Sequence, residues 1–548
     1  MTWSQAYLLF GGGLFASAAI AAIPIAIVFV LLGVLRKPSW VAGISGLGAT
    51  LLLALVGYHM PMTTAASAAC EGVAFGLFPI SWIVFWAICL FRVTLETGKF
   101  EIIKNSVGHL TIDPRLQTLL IAFAFGAFVE GAAGFGTPVA IASTMLTGLG
   151  FTAFDASALC LLANTAPVAF GSIGIPIVTL ALTTNLPVNK LSATAGILCT
   201  PVAFILPGYL LGSRWGLRGL REMWFPAIVT GTVFAGVQLF VSNLLGAQLT
   251  DILASLAAIC ALIAVIKFWF SHKAAKQSSF DGTSAQSSHH VSIESAAPTY
   301  SRAELIEAWL PYGLLVVCVL LWGWAPVHKL LERMSVSFPW PLLHDVVLRV
   351  PPIVAKPSPY HAIFNFNWFA ASGTSCMTAT LLTAICFRMP PAKFGKLLLA
   401  VTRQLALPTV TVTSVLAMAF VMNYSGATAT LGLAFAATGA LFPFFSALLG
   451  WLGVFLTGSD TSSNALFGTL QTVTAGRLGL NPITIAAVNS IGGVMGKMIS
   501  LQTIAVAAAA TGISVRDQAK LFRFTLRHSL LLVVFVGVLA LLAAYIHI

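Results

Sequence analysis

Residues 404–459 contain no charged side chain, and neither do residues 38–70, 156–189, 191–213 and 223–250. A helix crossing a bilayer needs about 20 predominantly apolar residues, so each of these stretches is long enough to cross. Runs of the same kind at 308–327, 357–387 and 528–548 extend the pattern over the whole chain. Charged residues make up 8% of the 548 positions and mean hydropathy is +0.95, whereas soluble domains carry roughly 25% charge. A soluble fold is therefore excluded. The polar–apolar alternation of a membrane barrel is absent, which leaves an all-α polytopic membrane protein with about 12–14 transmembrane helices.

The formal net charge of +12 would suggest nucleic acid in a soluble protein. Here Lys and Arg fall in short loops between apolar runs, the signature of cytoplasmic loops, so no nucleic acid is expected as partner. Arg36 is the first charge, which places the N-terminus outside and makes the first span a retained signal anchor rather than a cleaved signal. Residues 327–360, with six prolines, are expected at the outer surface. The Ser-rich segment 271–305 reads as a flexible cytoplasmic linker between an N-terminal membrane unit, 1–270, and a C-terminal one, 306–548. The eight cysteines stand singly and read as buried free thiols. No histidine pattern suggests a metal site, and no cofactor is expected.

Two glycine-rich interruptions break the apolar pattern. Residues 126–138, GAFVEGAAGFGTP, set Glu130 among glycines, and residues 453–464, GVFLTGSDTSSN, carry Asp460. Both begin Gly-x-Phe-x-x-Gly. Downstream, Asn164-Thr165 before Gly171 is echoed by Asn489-Ser490 before Gly496, with Gly-to-Asn spacings of 33 and 31 residues. One such set per half, entered from opposite faces, predicts two inverted repeats, each with a re-entrant hairpin and a broken helix.

Ionisable groups at membrane depth cost about 2.5–3.5 kcal/mol on insertion scales and persist where they face a cavity or a partner. Glu71, Glu130, Asp460 and Lys497 qualify. Glu130 and Asp460 lie close to corresponding points of the two repeats and are candidates for carrying a proton. Lys497 is placed to receive a substrate carboxylate or to neutralise Asp460; a fixed Lys–carboxylate pair that only holds helices together is the structural alternative. Helix starts at the breaks expose N–H groups that attract anions. Thr137, Ser459, Thr461, Ser462, Ser463 and Asn464 surround them with hydroxyl and amide groups, and Asn164, Thr165, Asn489 and Ser490 add more from the broken helices. The structural alternative for these small residues is close helix packing.

The motifs GAFVEGAAGFGTPVAIA, LANTAPVAFGSIGIP, NYSGATATLGLAFAATG, GVFLTGSDTSSNALFG, GGVMGKMIS and FRFTLRHS closely resemble the bacterial lactate permease family. The resemblance covers nearly the whole chain. It implies a cytoplasmic-membrane secondary transporter that imports L-lactate, commonly also D-lactate and glycolate, with protons. It also implies kinship with ion transporters built from inverted repeats with hairpins. Leu501 departs from the family pattern, which favours proline there. The expected partners are thus a small 2-hydroxymonocarboxylate, protons and membrane lipid. A membrane-embedded enzyme would need a base beside the serines at 459–463, and no histidine accompanies them.

Overall fold

The computed structural model describes residues 2–35, 37–108, 110–134, 137–270, 300–354 and 356–546. Arg36, and Phe135 and Gly136 of the first glycine-rich motif, lie outside the described residues, as do positions 271–299 of the Ser-rich linker. Among the described residues, 11 helices are long and apolar enough to cross a membrane, or up to 13 if each of two bent pairs counts as one span. The helix after the linker begins at Arg302, fixed by a capping box: Ser301 Oγ accepts from Glu304 N at 3.2 Å and Glu304 Oε2 from Ser301 N at 2.8 Å.

Four helix–break–helix units form the centre. Hairpin A is Pro114–Ala132 followed by Thr137–Gly148, which packs back along residues 118–132. Broken helix A is Ala153–Ala163 followed by Gly171–Thr184, the two parts bent by 66° from residue 168 onward. Hairpin B is Phe442–Thr457 with Asp460–Leu478, and broken helix B is Pro482–Lys497 with Leu501–Thr511. The packing is reciprocal. The second arm of hairpin A lies on the second part of broken helix B, and the second arm of hairpin B on the second part of broken helix A.

Local chemistry explains the breaks. Gly458, at φ 71°, ends its helix in the left-handed region that glycine enters without steric cost, and extended Ser459 caps the next helix by accepting from Ser462 N. In broken helix A, Ser172, Ile173 and Gly174 all have positive φ, at 47°, 60° and 73°. For a β-branched residue this is strained backbone, about 1–3 kcal/mol, and such strain concentrates at functional sites. Close approach needs glycine elsewhere. A Cβ on Gly450 would lie 1.9 Å from Asn489 O, and one on Gly492 would lie 2.1 Å from Ala447 O. These glycines let hairpin B and broken helix B pack backbone to backbone.

The two faces are chemically distinct. On one, ion pairs join segments that the charge pattern assigns to the cytoplasm: Lys99 with Glu307 at 2.7 Å, Arg214 with Asp155 at 2.8 Å, and Arg115 with Glu222. On the other, β1 (Trp3–Ser4) pairs in parallel with β3 (Val347–Arg349), which pairs antiparallel with β4 (Ser358–Pro359). A second small sheet joins β2 (Val336–Pro339) and β5 (Ile363–Phe366). The N-terminal segment and the proline-rich segment 327–360 therefore share a side, as the charge pattern requires. The strands themselves are a difference from the all-α expectation; at two to four residues each, they are too short to leave an alternation signal.

Candidate functional site

Glu130 ends the first arm of hairpin A, Asp460 opens the second arm of hairpin B, and Lys497 ends the first part of broken helix B. All three are buried, at 3%, 3% and 7% exposure, yet they line one cavity of about 60 Å³. Gly171, Ser172, Ser459, Thr461, Gln502 and Thr503 complete most of its wall. Each carboxylate lies against a glycine of the broken helix of its own half. A Cβ on Gly171 would come within 2.7 Å of Glu130 Oε1, and one on Gly493 within 2.5 Å of Asp460 Oδ1. The strained turn at Ser172–Gly174 borders the same space.

Behind Asp460 stands a hydrogen-bonded network. Ser490 Oγ donates to Asp460 Oδ2 at 2.5 Å, and Asn464 Nδ2 reaches the same oxygen at 3.3 Å and Pro176 O at 3.1 Å. Asn489 Nδ2 donates to Asn464 Oδ1 at 2.9 Å, and Gln471 Nε2 to Asn489 Oδ1 at 2.9 Å. Asn464, Asn489 and Ser490 thus hold the carboxylate from behind instead of facing the cavity. Ser463 Oγ donates to Gly450 O at 3.2 Å, and Thr165 Oγ1 to Leu162 O at 2.5 Å, so both hydroxyls serve helix packing. Ser462 contributes its backbone N–H to the Ser459 cap. Thr137 lies elsewhere: it lines a larger cavity, about 620 Å³, with Arg92, Lys104, Thr144 and Gln404 on the ion-paired face. Glu71, buried on Met62–Phe75, interacts with Tyr424 and is absent from the central wall.

One buried acid escaped the sequence reading. Asp251, 1% exposed, opens Thr250–Val265, and its Cβ would stand 2.9 Å from a Cβ on Gly131, next to Glu130. It interacts electrostatically with Glu130, and among the described residues neither of its carboxylate oxygens has a hydrogen-bond partner. Asn164 lies beside Glu130 and interacts with its carboxylate, and among the described residues Gln238 Oε1 has no hydrogen-bond partner. Asp251 was hidden because it starts an apolar run and reads as a boundary residue; a second acid at the edge of a glycine-facing helix is the available signal. Gln502 and Thr503 were missed as ordinary residues after Lys497. On the outer segment, His344, Asp345 and His361 bring ligand-type atoms within 4.8 Å of one another, a grouping not anticipated from their spacing.

The family description "L-lactate permease" matches residues 17–547. The chain belongs to the L-lactate permease family. It is 42% identical to the glycolate permease GlcA of Escherichia coli strain K12, over 100% of this chain and 99% of that protein. It is 40% identical to the L-lactate permease of Bacillus subtilis strain 168, over 99% and 98% respectively. The solved structure of Neisseria gonorrhoeae MtrF aligns with 95% of this chain and 98% of its own at a TM-score of 0.48 and 13% identity. As a permease-family protein with at least 11 membrane-length helices among its described residues, the chain is a membrane transporter. Its buried cavity is accordingly a candidate transport site.

Proposed function

We propose that this permease imports L-lactate, and by the same chemistry D-lactate and glycolate, across the cytoplasmic membrane by proton symport. The observation that carries the reading is the convergence of Glu130, Asp460 and Lys497, drawn from both halves, on one buried cavity. Lys497, the only cation on that wall among the described residues, receives the substrate carboxylate, assisted by the helix start at residues 459–461. The Ser459 and Thr461 hydroxyls and the Gln502 amide are suited to the substrate's 2-hydroxyl. Asp460, held by Ser490 and Asn464, orients Lys497. Glu130, with Asp251 behind it, carries the proton: an anion approaching Lys497 is repelled by a charged Glu130 and accepted by a neutral one, which couples the two cargoes.

A cavity of about 60 Å³ holds no more than a few waters, so the site is closed around its own side chains and must open to load. The reciprocal packing of hairpins on broken helices supports an inverted-repeat exchange in which one unit rocks against the other. The test is uptake of labelled L-lactate, D-lactate and glycolate into proteoliposomes under separate proton and sodium gradients. An inward proton gradient is expected to drive accumulation of all three. Accumulation that follows sodium and ignores the proton gradient would overturn the coupling.

A further inference from the structure

The second arm of hairpin B and the second part of broken helix A pack side by side away from the central cavity: Thr469 Oγ1 donates to Thr183 O at 2.8 Å. At the far end of this seam lies a separate cavity of about 310 Å³. Asp460 and Thr469 are nine residues apart in one helix, about 14 Å along its axis. Arg349, the last residue of β3, lines this cavity on the face that carries the N-terminal strand.

Arg349 is not accounted for by structural pairing. Its guanidinium lies 5.0 Å from the ring centre of Tyr360, and its buried Nε has no hydrogen-bond partner among the described residues. Among the described residues no carboxylate lies within ion-pair distance of it. The acid nearest in sequence, Asp345, is engaged by His361 at 2.6 Å and His344 at 3.3 Å. The rest of the wall includes His361, the partner of Asp345, and the neutral polar groups of Gln5, Asn185, Asn423 and Thr469. Cations in the cavity on the opposite face differ: Arg92 donates to Gln404 Oε1 at 2.7 Å, and Lys104 is paired with Glu101.

We propose that this cavity is an outer binding subsite for the carboxylate of a small organic anion, with Arg349 as its anchor. A guanidinium offers two parallel donors to a carboxylate, and Tyr360 holds its plane in place. Positive charge in a concave site raises the local concentration of anions before they reach the central site. The choice of a 2-hydroxy acid as ligand rests on the function proposed above.

The test is initial-rate lactate uptake into right-side-out vesicles, with saturation of the unaltered protein measured first. Arg349→Gln is expected to raise KM about tenfold, the worth of one charge-assisted hydrogen bond, with kcat within about twofold. Arg349→Lys is expected to fall between, because a point charge replaces a fork. Should Arg349→Gln fail to fold, Asn185→Asp tests the same cavity by adding an opposing charge at a left-handed helix cap, φ 56°, where Asp is tolerated. It too is expected to raise KM severalfold. A KM unchanged in both variants, or a loss confined to kcat, would overturn the subsite. Absence of saturable uptake by the unaltered protein would instead overturn the proposed substrate, and the lactate subsite with it.

Discussion

The two halves hold their buried carboxylates in opposite ways. Around Asp460 the network closes: Ser490 and Asn464 bind the carboxylate, Asn489 binds Asn464, and Gln471 binds Asn489. Around Glu130 it stays open. Among the described residues, Glu130 Oε2, Gln238 Oε1 and both oxygens of Asp251 have no hydrogen-bond partner. Buried polar groups are nearly always paired, and a satisfied network fixes a unique geometry. The sequence echo puts a carboxylate close to matching points of the two halves, and the fold surrounds the two differently. On the proposed reading, the Asp460 side positions Lys497 and the Glu130 side takes up and releases the proton.

The largest expected effect is at the residue both sides address. Lys497→Gln removes the only cation on the central wall among the described residues; lactate uptake should fall by about 100-fold or more, the worth of a buried charge-assisted contact. Uptake within threefold of normal would show that the substrate is held elsewhere.

Asp251 separates the halves next. Asp251→Asn should leave folding intact, because no hydrogen bond is lost, while weakening proton-driven accumulation about tenfold through its charge on Glu130. The readout is the ratio of accumulation driven by a proton gradient to lactate–lactate exchange in the same vesicles. An unchanged ratio would remove Asp251 from the coupling.

A smaller effect should appear in stability alone. Asn464→Ala strands the carboxylate side of the closed network and should cost about 1–3 kcal/mol, lowering Tm of the detergent-solubilised protein. Asn164→Ala, beside the carboxylate of the open side, should lower Tm less. Equal losses would erase the distinction drawn between the halves.

The membrane architecture was legible because charge is so sparse that the spans show without any structure. Glu130, Asp460 and Lys497 were legible for the same reason: ionisable groups inside apolar runs are costly enough to stand out. Their shared cavity follows from pairing each hairpin with a broken helix. Asp251 was not legible, since its burial depends on Gly131 bringing another helix against it, a contact between residues 120 positions apart. Ser463 and Thr165 looked like ligand groups from composition, yet their hydroxyls are committed to backbone carbonyls. Hydroxyls at a helix break serve either purpose, and only the fold assigns one. Arg349 read as one charge in an outer segment until a strand pair set it over a cavity.

Glu130→Gln tests the division of labour most directly, measured as lactate–lactate exchange and as proton-driven accumulation in one proteoliposome preparation. Exchange needs no net proton movement, and a neutral amide stands in for the protonated acid. Exchange is therefore expected to persist within about threefold while accumulation is lost. Accumulation that survives in Glu130→Gln, and disappears in Asp460→Asn instead, would place the proton on the other half and contradict the assignment.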